Sequence, residues 1–247
     1  MAAEQSMLLP LTSLRFFAAA AIVVAHLQNA FGFSASPANL SVAISFFFVL
    51  SGFILTYRYP VLRGRRAIGR FYLARVARIW PLHVATLIVA VLLAGTPFVL
   101  SGEFLANLFL VQAWSPVVVQ AMSFNGVAWT ISDEAFFYLL LPLVVLSWRS
   151  RLVLSIASVA FCAGVLVIGS QMVGDAPMEP MTEPSWYTVA HVNPAMRFLE
   201  FLIGCLACRL YQSARSPRLP FLLWTLLEAI CIAALLFAVF RGYLVQG

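Results

Sequence analysis

The sequence contains no lysine, and only 10% of its 247 residues are charged. The fifteen basic residues are therefore all arginine. No polar stretch is long enough to form a soluble core of its own, so we expect a single domain over residues 1–247. The sequence also lacks the basic, aromatic-interleaved surface that reads nucleic acid, which excludes nucleic acid as a partner.

Cysteine is scarce, and Cys162, Cys205, Cys208 and Cys231 all lie in apolar runs. Cys205 and Cys208 have the spacing of a redox or zinc pair, but no second pair of ligands accompanies them, so no metal is expected. The pair follows Gly204 in a hydrophobic segment. We therefore interpret these small residues as part of a helix packing interface.

Hydrophobic residues, in contrast, make up 63% of the sequence, and the mean hydropathy is +0.97. This composition is typical of polytopic membrane proteins, so we expect an all-α bundle of transmembrane helices. The apolar segment at residues 103–114 is only about twelve residues long, which suits a short re-entrant or interfacial helix better than a span. Seven longer apolar segments are predicted as spans, near residues 9–30, 40–57, 79–100, 133–148, 152–170, 197–210 and 221–240.

The arginines are unevenly distributed. Seven of the fifteen lie between Arg58 and Arg78, whereas residues 171–196 contain neither arginine nor lysine. Because cytoplasmic loops are enriched in basic residues, seven spans with a cytoplasmic N-terminus fit this distribution. We expect a multi-pass protein of the plasma (inner) membrane, in contact with membrane lipids. The odd number of spans leaves the C-terminus outside, and we expect the chain to be truncated at this end.

Two ionisable residues lie in the first predicted span. Arg15 and His26 are eleven residues apart, so a helix places both side chains on nearly the same face, separated by roughly 16 Å along its axis. Ionisable residues inside a membrane helix are costly and usually face a cavity or a partner, which favours a functional site. The alternative is that Arg15 reaches a lipid headgroup and His26 is an interfacial residue.

Arg75 and Arg78 lie near the cytoplasmic start of the third predicted span and share one helical face, with Arg70 close by. Arginine is well suited to bidentate binding of phosphate. Retention of this loop in the cytoplasm, or contact with anionic lipid, explains the same residues equally well. Pro81 is expected to open the span, and His83 is a weak candidate for catalysis.

Several polar groups lead into the fourth predicted span. Ser132 or Asp133 is expected to cap that helix, with Glu134 in its first turn. Glu134 and Tyr138 are four residues apart, so the helix presents a carboxylate and a phenol on one face. This end is predicted to lie on the outer side, which His26 also approaches. A carboxylate near an imidazole orients it and raises its basicity.

Two further motifs have a simple structural interpretation. Ser51 and Gly52 follow an aromatic run in the second predicted span, where small residues let another backbone approach closely. Arg197 and Glu200 are three residues apart, so a local ion pair accounts for both. The functional alternative is that Glu200 is a second carboxylate facing a membrane cavity.

Together these motifs resemble those of the acyltransferase-3 family of integral membrane O-acyltransferases. Each motif is weak alone, but all occur in the family's order and cover nearly the whole chain. The resemblance implies a polytopic membrane enzyme with further C-terminal helices, in agreement with the expected truncation. The matching segments are Arg15 with His26, Phe46–Phe53, Arg75–Pro81, Trp129–Tyr138 and Arg197–Gly204.

The resemblance also implies an activity. Members of the family move an acyl group, most often acetyl from acetyl-CoA, to a hydroxyl of a glycan, a lipid-linked sugar or a small molecule. The family's essential arginine and histidine fall on Arg15 and His26, and its paired arginines fall on Arg75 and Arg78. Acyl-CoA is therefore the expected donor, and a carbohydrate or lipid-linked molecule is the expected acceptor.

A catalytic arrangement follows from this resemblance. His26 would be the general base on the acceptor hydroxyl, with Glu134 as its orienting partner and Arg15 beside the path of the thioester. Two other functions stay open: a transporter or flippase that uses the same groups as a proton relay, and an inactive truncated relative. The phosphates of CoA are assigned to Arg70, Arg75 and Arg78, and the cavity to Ser51, Trp129, Tyr138 and Glu200.

Overall fold

The computed structural model describes residues 9–31, 42–94, 100–146 and 181–213, and three isolated positions at 153, 156 and 164. The regular elements within these ranges are helical, and the extended pairing described there is a single bridge between Val117 and Pro184. The α-helices are α1 (Leu9–Phe31), α2 (Val42–Arg58), α3 (Arg65–Leu93), α4 (Gly102–Leu108), α5 (Val118–Ala121), α6 (Trp129–Leu146) and α7 (Pro194–Ser213).

Within the described ranges, two helices are long and apolar enough to cross a membrane, α3 and α6. Shorter apolar helices at Ser13–Val24 and Ala43–Arg58 coincide with the first two predicted spans. The all-helical prediction is thus confirmed for this part of the chain. The bounds of α1, α2 and α7 agree with the predicted spans to within three residues. The predicted spans near 152–170 and 221–240 lie outside the described residues, except for the isolated positions.

The third helix begins much earlier than predicted. Gly64, with a φ of 82° that favours glycine, precedes the first turn, and the helix then continues through the arginine-rich stretch. Arginine is a good helix former, so the helix starts well before the apolar segment begins. Pro81 therefore lies inside α3 instead of opening it. The expectation for Pro81 was wrong because hydropathy locates the membrane crossing and not the helix start.

The predicted short helix at residues 103–114 is broken into two pieces. Ser101 caps α4, because its side chain accepts a hydrogen bond from the backbone N–H of Phe104 at 3.2 Å. Leu110 then adopts a left-handed conformation with φ 59°, and a 3-10 helix follows at Gln112–Trp114. Buried His83 holds this segment against α3 through a 2.8 Å hydrogen bond between its Nε2 and the carbonyl of Asn107. His83 is therefore a structural residue.

The fourth predicted span also starts earlier than expected, at Trp129. Asp133 consequently lies in the second turn of α6, and the prediction that Ser132 or Asp133 caps this helix was wrong. The hydroxyl of Ser132 instead donates a 2.6 Å hydrogen bond to the carbonyl of Leu110, which ties the helix to the preceding loop. A turn before Trp129, in which the amide of Ala128 bonds to the carbonyl of Asn125 at 2.9 Å, sets the helix start.

Helices α2 and α7 pack backbone against backbone. A Cβ atom added to Gly52 would overlap the carbonyl of Phe201, and one added to Gly204 would overlap the carbonyl of Val49. The thiol of Cys205 bonds to the carbonyl of Gly52 at 3.6 Å across the same crossing. The interpretation of these small residues as a packing interface is thus confirmed.

The contacts also fix the directions of the helices. Ser45 near the start of α2 bonds to Glu200 near the start of α7, and Arg209 near the end of α7 bonds to the carbonyl of Pro60 just after α2, so these helices are parallel. Helix α6 runs the same way, because Trp129 at its start lies beside Arg197 near the start of α7, and Phe137 two turns later stacks on Phe201 at 4.9 Å. Helices α1 and α3 run in the opposite direction beside this group.

Candidate active site

One cavity, of about 280 Å³, lies between α1, α2 and α6 and contains both His26 and Glu134. His26 is exposed and Glu134 is half-buried. The two side chains face a common space without a hydrogen bond between them in the described structure. We name this cavity and the next one after the substrates that the sequence predicts for them, and call this one the acceptor-side cavity. Its lining residues are Ala19, Ile22, Val23, His26, Ile44, Phe47, Phe48, Val127, Trp129, Thr130 and Glu134.

Helix α1 presents one face to this cavity. Its lining residues from Ala19 to His26 recur at helical spacing, and Arg15 lies one turn before Ala19 on the same face. The guanidinium of Arg15 donates a 3.3 Å hydrogen bond to the hydroxyl of Ser51 and lies 5.3 Å from the ring centre of Phe47. Arg15 therefore lies between α1 and α2, one turn of α1 before the cavity, and it does not line the cavity itself.

A second cavity, of about 490 Å³, lies between α3, α6 and the turn after α4. Arg75 lines it, together with the ring of Tyr138. We call this the donor-side cavity. Its lining residues are Tyr72, Arg75, Val76, Ile79, Trp80, Phe109, Leu110, Ala135, Tyr138 and Leu139.

A single hydrogen bond joins the walls of the two cavities. The hydroxyl of Tyr138 donates to Oε1 of Glu134 at 2.6 Å. Tyr138 is 3% exposed and lines the donor-side cavity, whereas Glu134 lines the acceptor-side cavity. The expectation that these residues share one face of a helix is confirmed.

Aromatic rings hold Arg75 in place. Its guanidinium lies 5.8, 5.9 and 5.6 Å from the ring centres of Tyr59, Phe71 and Tyr138. One of its nitrogens also donates a 3.4 Å hydrogen bond to the hydroxyl of Tyr59, while its Nε is buried and has no hydrogen-bond partner. Arg78, one turn further along α3, is exposed, as is Arg70. Arg75 is thus oriented in advance by the rings around it.

Charges from both sides of the site converge on Arg15. Its guanidinium lies within electrostatic range of Glu134, Tyr138, Arg75 and Arg78, with Glu134 the strongest of these influences. Glu134 attracts it and the two other arginines repel it. The structure therefore brings together the arginine pair of α3, the arginine of α1 and the carboxylate of α6, which lie far apart in sequence.

Arg197 and Glu200 form the local ion pair, with Nη1 and Oε1 2.6 Å apart. Ser45 joins them by donating to the same carboxylate oxygen at 2.9 Å, and the Nε of Arg197 donates to the carbonyl of His191 at 2.6 Å. The structural interpretation of this pair is confirmed. Glu200 lines neither of the two cavities described, so its assignment to a cavity has no support from the structure.

This ion pair contacts the wall of the acceptor-side cavity through Trp129. The guanidinium of Arg197 lies 5.8 Å from the ring centre of Trp129, which lines that cavity. Asp133 lies within electrostatic range of Arg197 and Glu200, is 0% exposed and has no hydrogen-bond partner for either carboxylate oxygen among the described residues. Sequence reasoning missed this group because a carboxylate near a helix start resembles a cap.

Two of the residues around the arginines were also missed. Tyr59 lies outside any helix and contacts Arg75 through both its hydroxyl and its ring, and Phe47 contacts Arg15. Tyr59 follows Arg58 in the sequence and Phe47 belongs to an aromatic run, and neither signal indicates which arginine the ring contacts.

A family profile described as an acyltransferase domain matches residues 11–246, nearly the whole chain. The chain belongs to the acyltransferase-3 family. The resemblance indicated by the motifs is thus confirmed. The prediction that the chain is a membrane protein is confirmed as well, because this family consists of membrane proteins. No solved structure significantly matches this acyltransferase-3 chain.

Two relatives are similar to this acyltransferase-3 chain. Acyltransferase MdmB of Streptomyces mycarofaciens is 30% identical over 220 residues, which cover 78% of the chain and 55% of MdmB. Protein 2 in the picA locus of Rhizobium radiobacter is 39% identical over 79 residues, which cover 31% of the chain and 40% of that protein. The chain thus spans about half the length, or less, of the curated relatives it matches.

Proposed function

We propose that this chain is an integral membrane acyltransferase that moves an acyl group from cytoplasmic acyl-CoA to a hydroxyl of a glycan or lipid-linked sugar. The observation that carries the proposal is the Tyr138–Glu134 hydrogen bond, which joins a cavity containing an arginine to a cavity containing a histidine. A donor held by phosphate-binding arginine and an acceptor activated by imidazole would meet at this pair. Family membership and the similarity to an acyltransferase support the reaction class.

The donor would bind from the cytoplasmic side. Arg75 lies at the donor-side cavity, Arg78 is one turn away, and Arg70 is exposed on the same helix. Guanidinium groups bind phosphate by charge-assisted hydrogen bonds, and CoA carries several phosphates. Arg75 would contribute its positive charge at the cavity wall, and Arg78 and Arg70 are exposed and open to a ligand from the cytoplasm. The thioester would then lie beside Tyr138.

Acyl transfer would take place where the two cavities adjoin. His26 takes the proton from the acceptor hydroxyl as its oxygen forms a bond to the thioester carbonyl carbon. The carbon–sulfur bond then breaks, and the CoA thiolate takes the proton back from the imidazolium. Glu134 lies in the same cavity and favours the imidazolium charge. A general base of this kind contributes roughly 10²–10⁴-fold, and the remaining acceleration comes from positioning the reactants.

The acceptor-side cavity suits a sugar. The ring of Trp129 lines it, and aromatic faces stack on the apolar faces of sugars. The guanidinium of Arg197 behind this ring holds its position. For the donor, the family resemblance favours acetyl as the smallest acyl group that is transferred.

The proposed topology has seven spans and a cytoplasmic N-terminus in the inner membrane. The parallel directions of α6 and α7 support it, because the chain between them has to return across the same thickness. The predicted span near residues 152–170 would provide that return. The antiparallel directions of α1 and α2 agree with the first two spans, and the arginines of α3 then lie on the cytoplasmic side.

The decisive experiment feeds labelled acetyl-CoA to inside-out membrane vesicles that contain wild-type protein or the His26→Ala variant at matched expression. His191→Ala is the control, since His191 is another exposed histidine and lines neither cavity. We expect label transfer or thioester hydrolysis in wild type and in the control, and a loss of at least about 100-fold in His26→Ala. Equal rates in all three would contradict the role of His26.

A second readout tests the reaction class. If a substrate crosses the membrane without consumption of acyl-CoA, the protein is a transporter. If neither flux nor acyl transfer occurs in vesicles that contain the wild-type chain, the proposal of an active acyltransferase is wrong for this chain.

A further inference from the structure

The donor-side cavity is elongated along α3. Its lining residues on this helix run from Tyr72 to Trp80, a distance of roughly 12 Å along the helix axis. Ala135 and Leu139 form the facing wall on α6, and Phe109 lies at the Trp80 end. At about 490 Å³, the cavity is large enough for a small ligand or part of a larger one.

Both tyrosine hydroxyls in this cavity already donate hydrogen bonds within the protein. The hydroxyl of Tyr72 donates to the carbonyl of Leu139 at 2.9 Å, and the hydroxyl of Tyr138 donates to Glu134. Of the described residues that line the cavity, Arg75 is the only charged one, and it lies at the Tyr72 end. From Arg75 to the far end the walls are aliphatic or aromatic.

This pattern defines the chemistry of the occupant. The pantetheine arm of CoA contains two amides, which are costly to remove from water where no hydrogen-bond partner is offered. A hydrocarbon chain needs no such partner, and each buried methylene raises affinity about fourfold. The walls therefore match an aliphatic chain that is attached to a polar group near Arg75.

We infer that the donor-side cavity binds the aliphatic chain of the acyl donor, so that the protein accepts acetyl but prefers longer acyl groups. This inference rests on the proposed function, because it places the thioester beside Tyr138 and Glu134. From there, CoA extends past Arg75 to the cytoplasm, and the acyl chain extends toward Trp80. The acceptor hydroxyl reaches the thioester from the cavity that contains His26. The bonds formed and broken are those already described.

One side of the cavity is open. Val76, Trp80, Phe109 and Leu139 are exposed, and in a membrane this side faces hydrocarbon instead of water. A chain that exceeds the cavity therefore continues into the lipid. The site selects for apolar length without a sharp upper limit, and bulk added to the cavity wall removes that selection.

The test measures binding and turnover of CoA, acetyl-CoA, butyryl-CoA and octanoyl-CoA by the full chain in lipid nanodiscs. Empty nanodiscs provide the baseline, since long-chain acyl-CoA also partitions into lipid. Val76→Phe and Ala135→Phe fill the cavity from opposite walls. If one variant fails to fold, the other still provides the measurement. Val89→Phe is the matched control: Val89 lies on α3, has the same 52% exposure as Val76 and does not line the cavity.

Wild-type protein is expected to bind octanoyl-CoA at least about tenfold more tightly than acetyl-CoA. Both cavity variants should abolish this preference, and Val89→Phe should keep it. Equal affinity for the two donors in wild type, or a preference that survives filling of the cavity, overturns the inference and leaves the proposed function intact.

The two proposals fail in different ways. If neither CoA nor any acyl-CoA binds, the proposed function is wrong, and so is the inference that the donor-side cavity binds the acyl chain. If affinity rises with the length of the acyl chain but no acyl transfer occurs, binding of the acyl chain in the donor-side cavity is supported and the catalytic proposal is contradicted.

Discussion

Tyr138 donates a 2.6 Å hydrogen bond to Glu134 one turn earlier in α6, and these two side chains line different cavities. A change on one side of the pair is therefore transmitted to the other. A donor that displaces the phenol ring would alter the hydrogen bonding of the carboxylate that His26 faces. This relationship makes Tyr138 the most informative residue to change in the site.

Tyr138→Phe removes the hydrogen bond but keeps the ring that packs on Arg75. Because a hydrogen bond to a charged group contributes about 1.5–3 kcal/mol, we expect kcat to fall roughly 10- to 100-fold. The KM for acyl-CoA should change little, and the loss of this buried hydrogen bond should lower the thermal unfolding midpoint by a few degrees. Steady-state kinetics in vesicles measure both constants. Tyr211→Phe is the control, because Tyr211 is exposed on α7 and lines neither cavity. An unchanged kcat for Tyr138→Phe would show that Glu134 works without its phenol partner.

Gly204→Ala should destabilise the protein, because the added methyl group overlaps the backbone of α2 at Val49. Forced separation of two helices typically costs about 1–3 kcal/mol, so the thermal unfolding midpoint should fall by several degrees. Gly69→Ala is the opposite case: nothing lies within 4 Å of the added atom in α3. Alanine is the better helix former there, so stability should rise slightly. The idea of a tight α2–α7 crossing is wrong if both variants behave alike.

Arg197→Met should cost roughly 2–3 kcal/mol of stability, because it leaves the Glu200 carboxylate without its partner. Adding Glu200→Gln should restore part of the loss, since the unpaired charge is then removed. Unfolding of the purified single and double variants measures this coupling. Arg63→Met, at an exposed position, serves as the control. A double variant as unstable as the sum of the single ones would rule out the coupling.

His191 should make stability depend on pH. It lies in a π-helix at Thr188–Val192, before α7 and outside the predicted spans. Partial burial and the positive charge of Arg197 lower the pKa of its imidazole below 6.5, partly offset by Glu200. The unfolded chain therefore binds a proton at a higher pH than the native protein, and stability should decrease as pH falls below 6.5. The His191→Gln variant should lose less stability over this window. Thermal unfolding at pH 7.5, 6.5 and 5.5 compares the two proteins, and parallel curves would contradict the prediction.

Much of the fold could be predicted because hydropathy and helical spacing are local properties. The bounds of α1, α2 and α7 agree with the sequence to within three residues, and the small residues at Gly52 and Gly204 indicated a helix crossing. The start of α3 could not be predicted in this way. A helix that continues from water into a membrane has no hydropathy signal at its first residue.

In the candidate site, too, features within one helix could be predicted, whereas contacts between helices could not. The Glu134–Tyr138 pair is predictable because both residues lie on one helix, four positions apart. The approach of Arg15 to Ser51 and the stacking of Arg75 on Tyr59 depend on how separate helices pack, which no spacing shows. The same holds for buried Asp133, whose neighbours Arg197 and Glu200 come from another helix.

The glycine contacts between α2 and α7 also bear on how substrates are exchanged. With no side chain between their backbones at Gly52 and Gly204, these helices cannot slide past each other without overlap and would lose close packing if they separated, so together they form a rigid frame. Helix α1 packs on α2 of this frame, where Arg15 bonds to Ser51, and α3 packs on α6, where Tyr72 bonds to the carbonyl of Leu139. Each forms one wall of one cavity. A shift of α3 would open the donor-side cavity and a shift of α1 the acceptor-side cavity, so the two substrates would enter by separate routes, while the hydrogen bond between Tyr138 and Glu134 couples their sites.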